Sequence, residues 1–562
     1  MIYIAIKRSE TMERLQKQVK NEIIAALTKA GLSDGLDVNQ VVIEYPKDGS
    51  HGDFSTNVAM QLARSAKRNP RDIAQSIIDN FEFTCIDRAE IAGPGFINVF
   101  VKENILNVHV NDILAQGTNY GNSDFGNNNY INVEFVSANP TGDLHLGHAR
   151  GAALGDSLSN ILEAAGHRVT REYYINDAGN QINNLVYSLQ ARYYQQLGDT
   201  DYPMPEDGYH GEDIVNIAKI LIERHKTEFD NADEEGKLAL FRSYGIKYEL
   251  EKLKTDLLNY RVEFDQWSSE QSMYDTGKLE ASLAELKKRG ATYEKDGALW
   301  LRSTDFGDDK DRVLLKSDGT YTYMVPDIAY HIEKLSRGDK LIDILGADHH
   351  GYIARMQAAL AALGYFDVLE VEIIQMVRLM QGGVEVKMSK RTGKAVALRD
   401  LVEEVGLDAV RYFFAMRAAN SPLDFDMDLA KEHANTNPVY YAHYAHARTC
   451  SVLRNAAEKG FAADKITTSD SYTYEEKDRR LVNTLLMFPE VIIQSAIKRE
   501  PHLITNYINT LASNFHSFYN DHKVINEEDM VTSYHRLALV DSVRITLANA
   551  LKLVGVSAPE KM

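Results

Sequence analysis

Two short clusters stand out for the chemistry that their residue types could perform: His145-Leu146-Gly147-His148, preceded by Pro140, and Lys387-Met388-Ser389-Lys390 far downstream. The first reads as a glycine-rich helix start, where unpaired N–H groups and a partial positive charge suit phosphates. Its two imidazoles can donate hydrogen bonds to α-phosphate oxygens as charge builds there during attack. Gly147 leaves room for a flat adenine. Gly151 and Gly155 continue a spacing of four that lets a helix approach a sheet closely, at about 1 kcal/mol each in helix propensity. With 17 His and 35 Gly in 562 residues, His-x-Gly-His arises by chance in roughly 0.03 chains of this size. The second cluster lies in a loop bounded by glycines. Such a loop can close over departing pyrophosphate and add positive charge mainly in the transition state. Each cluster has a plainer reading, a capped turn for the first and a solvated basic loop for the second. Together, in this order, they read as two halves of an ATP site.

These clusters need elements to hold them. Residues 131–136 read as a strand and 168–175 as another. Between them the run 147–165 is a helix whose Leu154, Leu158, Ile161, Leu162 and Ala165 fall on one face, with Gly166 as its stop. That β-α-β order opens a doubly wound parallel sheet, in which ligands sit at the carboxyl ends of the strands beside the first helix N-terminus. The stretch 176–300 is charged, tyrosine-rich and largely helical, and reads as an insertion between the sheet's halves. Strand-like segments return at 321–324, 341–345 and 371–377, with a helix at 353–363 before the last. From Leu398 onward the pattern is helical to the end.

Ahead of the sheet, Leu15, Val19, Ile23 and Leu27 recur every four residues and predict a helix over 12–29 stopped by Gly31. Residues 41–45 and 96–100 read as strands, with helices at 57–67 and from Pro70 through Ile77. The Gly/Asn-rich segment 117–129 reads as a linker. The fold class that follows is multi-domain α/β: an N-terminal α+β domain (1–120), a Rossmann-like doubly wound catalytic domain (121–384, insertion at about 183–300), a connecting region with the lysine loop (385–436) and an all-α helical bundle (437–562).

Composition narrows the class. A hydrophobic content of 44% and a charged content of 25% are those of a soluble globular protein, with no apolar run long enough to cross a bilayer. Two distant cysteines without CxxC spacing point to a reducing, cytosolic setting and away from a cysteine zinc site. A net charge of −19 argues against a generic nucleic-acid coat but allows an enzyme that grips RNA with local patches. The opening 1–11 shows no signal-peptide cleavage pattern and reads either as a first strand or as an extension upstream of Met12.

Longer motifs carry a resemblance. VEFVSANPTGDLHLGHARGAALGD (133–156), REYYINDAGNQI (171–182), SDGTYTYMVPDIAYH (317–331) and GADHHGYIARM (346–356) resemble the signatures of bacterial-type arginyl-tRNA synthetases, a class I family. HGDFSTNVAM and IAGPGFINV resemble that family's additional tRNA-binding domain, and NPVYYAHYAHAR with the ending VSAPEKM resembles its anticodon-binding helical domain. The likeness runs in the right order along nearly the whole chain. It implies an ATP- and Mg2+-dependent reaction in two steps, in which L-arginine becomes arginyl-adenylate and is passed to the 3′ end of tRNA(Arg). It further implies tRNA present for the first step, no covalent enzyme intermediate, no dedicated protein metal site, and a cytoplasmic monomer without a membrane partner.

The resemblance also assigns residues. His145, His148, Lys387 and Lys390 match the catalytic positions, and Pro140, Gly147, Gly346, Asp348, Val377, Met388 and Ser389 match the ATP site, Gly346 and Asp348 at its ribose. Either His349 or His350 lies near the adenine, and backbone groups around Met376 and Val377 meet the base edge. Ser137 and Asn139 match residues near arginine's α-amino and carboxylate groups, and Glu134, one turn of strand earlier, is placed with the arginine-binding residues. Glu270, Tyr323 and Asp327 match the guanidinium pocket, and carboxylates independently suit a planar, permanently charged guanidinium. Tyr441, Tyr444 and Arg448 fall at i, i+3 and i+7 on one helical face. They suit unpaired anticodon bases read by stacking and hydrogen bonding, or else interhelix packing. Met562 matches a terminal methionine near the anticodon. Many members have a degraded lysine signature, whereas this chain keeps both lysines and follows them with Arg391.

Three rivals remain at this level: a class I synthetase for another amino acid, a small-molecule nucleotidylyltransferase, and a tRNA-binding protein without catalysis. Absent zinc-spaced cysteines weigh against cysteine as substrate, and the Glu270/Asp327 pair would repel glutamate. A nucleotidylyltransferase has no need of an aromatic-basic helical domain, and the intact histidines and lysines weigh against lost catalysis.

Overall fold

The computed structural model describes residues 14–33, 37, 40–46, 51–349, 351–387 and 396–562. The opening 1–11, His350, Met388, Ser389, Lys390 and Arg391 lie outside the described residues, as does the side chain of Asp348. Contacts divide the chain into two compact units, Gly126–Lys431 with Arg499–Pro501, and Met1–Phe125 with Glu432–Lys498 and His502–Met562.

The first unit is built on a five-stranded parallel sheet: β1 (Tyr130–Glu134), β2 (Arg168–Ile175), β3 (Gln266–Ser269), β4 (Lys340–Gly346) and β5 (Leu369–Ile374). Their spatial order is 3-2-1-4-5, so the winding reverses between β1 and β4. That reversal point opens a crevice at the carboxyl ends of both strands. The first crossover helix, α1 (Leu146–Ala164), is buried on nearly every face, which explains its alanine, glycine and leucine content. At Gly155 a Cβ would fall 2.2 Å from the Phe135 ring, so only glycine fits. Gly151 would meet nothing closer than Ile374 at 3.6 Å, an ordinary contact, and close packing does not require it.

Several sequence expectations are corrected here. β3 lies inside the stretch read as insertion, because a four-residue strand carries too little periodicity to separate from its helical neighbours. The helices before it, Asn180–Gln196, Glu212–Asn231 and Glu234–Asn259, pack around their own core of Leu185, Leu189, Leu221, Phe229 and Phe241. Residues 321–324 do not form a strand. Tyr321 makes a single bridge to Leu315, and Met324 starts the helix α2 (Met324–Lys334), with Pro326 in the first turn where no N–H is needed. The segment 371–377 is two elements: β5 ends at Ile374, and Val377–Gln381 joins a separate sheet with Val384–Glu385 and Leu423–Asp426. The last of these strands interrupts the helical pattern expected after Leu398. Residues 41–45 contribute only a bridge between Glu44 and Ser55.

The second unit joins the two ends of the sequence. An antiparallel sheet of Phe54–Thr56, Phe96–Val101 and Ile86–Ala92, backed by helices, belongs to the same unit as five C-terminal helices, from Pro438–Glu458 to Met530–Leu553. Asp53 ties them. Its buried carboxylate accepts from the Val101 N–H at 2.6 Å, from Arg479 at 2.8 Å and from Asn483 at 2.8 Å. Both cysteines are free and buried. Among the described residues no single helix is long and apolar enough to cross a membrane.

Candidate active site

β1 ends in a turn that few side chains tolerate. Val136 has φ +70° and Ser137 φ +39°, and the Ser137 N–H closes a three-residue turn onto Phe135 O at 3.0 Å. Such backbone persists only when its surroundings enforce it. Here the Ser137 hydroxyl donates to Glu134 Oε1 at 3.0 Å and accepts from the Tyr174 N–H at 3.1 Å, while the Tyr173 hydroxyl donates to Ala138 O at 2.8 Å. The turn borders a cleft of about 710 Å³ at the β1/β4 reversal, within the size range of small-molecule sites. Glu134, Ser137, Asn139, His145, Gly147 and His148 line one side, and Asp327, His331, Asp343, Gly346 and His349 the other. Asn139 is anchored by donation to Gln181 Oε1 at 2.5 Å.

The histidine pair is held at the start of α1 by its own backbone. His145 Nδ1 accepts from the Gly147 N–H at 3.1 Å, and His148 Nδ1 accepts from the His145 N–H at 3.3 Å. The rings stack with centroids 3.6 Å apart. Burial lowers both pKa values, that of His148 to about 3 with His145 adding to the effect. Both rings are therefore neutral at pH 7, and since each Nδ1 accepts, each single proton sits on Nε2. The motif thus presents two Nε2–H donors at a helix N-terminus.

Beneath the cleft runs a buried ionic chain. Lys334, 0% exposed, donates to Glu134 Oε2 at 2.7 Å and to Asp343 Oδ1 at 2.6 Å. Asp343 Oδ2 lies 2.8 Å from His331 Nε2, and His331 Nδ1 lies 2.7 Å from Asp327 O. Burial opposes the Lys334 charge, but Asp343 and Glu134 outweigh it and raise its pKa. Asp327 itself is pushed up to about 6, chiefly by burial. Glu270, buried at the end of β3, is pushed up to about 7 by burial, by Asp327 and by Asp177. Asp177 fixes that segment, accepting from Ser269 Oγ at 2.6 Å and the Gln271 N–H at 2.9 Å. Tyr323 stands apart: it is 86% exposed, at the N-cap of α2, and does not line the cleft.

Other expected positions are distributed around this centre. Pro140 is buried outside the cleft lining, and Val377 is engaged in its strand beside Leu423, whereas Gln375 and Met376 line the cleft. Lys387 is exposed just after the tight Gly382-Gly383 hairpin, whose φ values of +58° and +76° suit a two-residue turn. Beyond the lysine loop, Ala397 bridges to His145 and the Leu398 N–H donates to Leu144 O at 2.7 Å, so the chain returns to the histidine motif.

Sequence reading missed Arg150, Lys334, His331 and Asp343. Arg150 is fully buried in α1 and donates to Gln375 O at 2.8 Å and Ala418 O at 2.9 Å, bracing the motif helix against the cleft's far wall. Its place two residues after His148 was the available signal. His331 closes the SDGTYTYMVPDIAYH motif, but nothing local marks Lys334 or Asp343, which only the β4/α2 packing brings to Glu134.

In the second unit, Tyr444, Arg448 and Met562 line a pocket of about 430 Å³ with Tyr519 and Arg454. Arg448 lies over the Tyr444 and Tyr519 rings at 4.4 and 5.0 Å. Tyr441 packs on His516 instead, with ring centroids 4.8 Å apart. Among the described residues no group of three or more His, Cys, Asp or Glu is arranged to hold a metal ion.

A 3-2-1-4-5 sheet with a His-x-Gly-His helix start at its reversal point is the architecture of class I aminoacyl-tRNA synthetases. The family model described as "tRNA synthetases class I (R), catalytic domain" matches 109–449, "Arginyl tRNA synthetase N terminal domain" matches 15–101 and "DALR anticodon binding domain" matches 442–562. The arginine–tRNA ligase of Bacillus subtilis (strain 168) is 58% identical over 98% of this chain and 99% of its own length, and arginine–tRNA ligase 1 of Halalkalibacterium halodurans is 57% identical over 98% and 100%. The arginyl-tRNA synthetase of Thermus thermophilus shares the fold, with TM-score 0.76 at 23% identity over 98% of this chain and 100% of that one. The chain belongs to the arginyl-tRNA synthetase family. It is an ATP-dependent arginine–tRNA ligase, with arginine, ATP and tRNA(Arg) as substrates.

Proposed function

We propose that the cleft binds MgATP with its α-phosphate at the Nε2–H groups of His145 and His148, the Mg2+ riding on the triphosphate oxygens. Gly147 and the backbone around Gln375 and Met376 bound the adenine, Gly346 and Asp348 hold the ribose, and Lys387-Met388-Ser389-Lys390 takes the leaving pyrophosphate. Glu134, Ser137 and Asn139 receive arginine's α-ammonium and carboxylate. Glu270 and Asp327 receive the guanidinium, and Tyr323 turns inward to join them.

In the first step an arginine carboxylate oxygen attacks the α-phosphorus, and the bond to the β-phosphate oxygen breaks. The neutral imidazoles donate to the oxygens where charge accumulates, and the lysines to pyrophosphate. In the second step the 2′-OH of the tRNA's terminal adenosine attacks the acyl carbon and AMP leaves. The pocket around Tyr444, Arg448 and Met562, with Tyr441 beside it, grips anticodon bases by stacking and charge. The protein works as a cytoplasmic monomer, and tRNA is required for activation.

The observation that carries the arginine assignment is the carboxylate pair: the buried Glu270 and the half-buried Asp327, near enough for the Asp327 charge to raise Glu270, suit a planar monocation with its donors in a fork. ATP–pyrophosphate exchange with each amino acid, with and without total tRNA, tests it. Exchange with arginine alone, dependent on tRNA, is the expected result, and preference for another amino acid would overturn the assignment. Asp327→Ala should raise the arginine KM or abolish activity, and charging by a truncation ending at Asn437 tests the helical domain's part in tRNA binding.

A further inference from the structure

We propose that Lys334 is a positioning residue for amino-acid recognition, holding the Glu134 carboxylate in the orientation that receives the substrate's α-ammonium. The inference rests on the assignment of Glu134 to that ammonium and goes beyond it. Glu134 is gripped at both oxygens, by Lys334 Nζ at 2.7 Å on Oε2 and by the Ser137 hydroxyl at 3.0 Å on Oε1. The remaining lone pair of each oxygen is what the cleft can use, and the two grips fix where it points. Lys334 is fully buried over the Tyr330 ring, 4.8 Å from its centroid, out of substrate reach. It does not line the cleft, whereas Glu134 does.

The same lysine sets Glu134 in register with the other end of the substrate. Asp327, His331 and Lys334 occupy positions i, i+4 and i+7 of α2 and share one face. Lys334 grips Asp343, Asp343 pairs with His331, and His331 contacts the backbone carbonyl of Asp327. One continuous buried chain therefore joins the carboxylate at the α-ammonium to the helix turn that carries the carboxylate at the guanidinium. Removing the lysine charge leaves Glu134 and Asp343 facing each other across its vacated place, so Glu134 turns away or takes up a proton.

The test compares arginine with δ-guanidinovalerate, which is arginine without its α-amino group, as a competitive inhibitor of tRNA-dependent ATP–pyrophosphate exchange. In Lys334→Met the arginine KM should rise at least about tenfold, and arginine's advantage over the analogue should shrink by a similar factor, with the ATP KM moved less than about threefold. Lys334→Gln, which retains a hydrogen-bond donor and is less disruptive to folding, should show the same collapse to a smaller degree. Glu134→Gln should abolish the advantage. An advantage intact in Glu134→Gln would overturn the Glu134 assignment itself. Loss there, but equal weakening of arginine and analogue in both Lys334 variants, or a parallel rise in the ATP KM, would overturn the positioning role.

Discussion

The tautomer of the histidine pair turns a motif into a geometric statement. Because both Nδ1 atoms accept backbone N–H groups, only Nε2 is left to donate. Glutamine can place an amide donor near an imidazole Nε2, whereas asparagine reaches only the Nδ1 position. In His148→Gln the rate of adenylate formation should therefore exceed that of His148→Asn, with the latter lowered about 100-fold or more in pyrophosphate exchange. A reversed order would refute the tautomer. The carboxylate pair gives a pH signature. Glu270, at about 7, and Asp327, at about 6, take up protons as pH falls, and a neutral carboxyl does not pair with guanidinium. The arginine KM should rise as pH drops from about 8 to about 6. Both folded values lie above those of the unfolded chain, so stability falls as pH rises from about 4, where the unfolded carboxyls ionise, to about 7. Arginine should accordingly raise the melting temperature more at pH about 8 than at pH about 6.

Elements place these residues through contacts that the sequence shows only in part. The α1 helix, its histidine start and β1 were legible because a 19-residue helix and its glycine spacing leave a long periodic signal. The helix α2 was not. Tyr-Thr-Tyr favours strand by local propensity, and tertiary packing against β4 overrides it. The two inner glycines of α1 separate under test. Gly155→Ala drives a Cβ into the Phe135 ring and should cost about 3 kcal/mol in denaturant unfolding. Gly151→Ala should leave stability unchanged or raise it by up to about 1 kcal/mol. Equal losses would show that α1 sits differently on the sheet. Arg150→Met, which frees the Gln375 and Ala418 carbonyls, should lower pyrophosphate exchange more than Arg454→Met in the other unit.

At the scale of the whole molecule, the N-terminal sheet and the C-terminal helices share one compact unit although nearly the whole catalytic domain separates them in sequence. Asp53, in the HGDFSTNVAM motif, is their joint. Asp53→Ala strands the buried Val101 N–H and the Arg479 guanidinium, and should destabilise this unit by about 3 kcal/mol. Thermal unfolding followed by limited proteolysis should show early release of the N-terminal domain, and an unchanged cleavage pattern would refute the joint.

The sequence by itself determined the family and its order along the chain: an adenylate-forming motif pair, longer motifs resembling arginyl-tRNA synthetases, and a chain of α/β then all-α character. Those features are local, since a motif's residue types and a helix's periodicity are written within a few turns of one segment. Only the tertiary structure decided what holds the site together. The 3-2-1-4-5 order, the Tyr174 N–H on the Ser137 hydroxyl, and Lys334 between Glu134 and Asp343 join separate segments around the cleft, as Asp53 against Arg479 does in the second unit. A buried charge is costly unless its partners are already in place, and those partners exist only once the fold has brought them together.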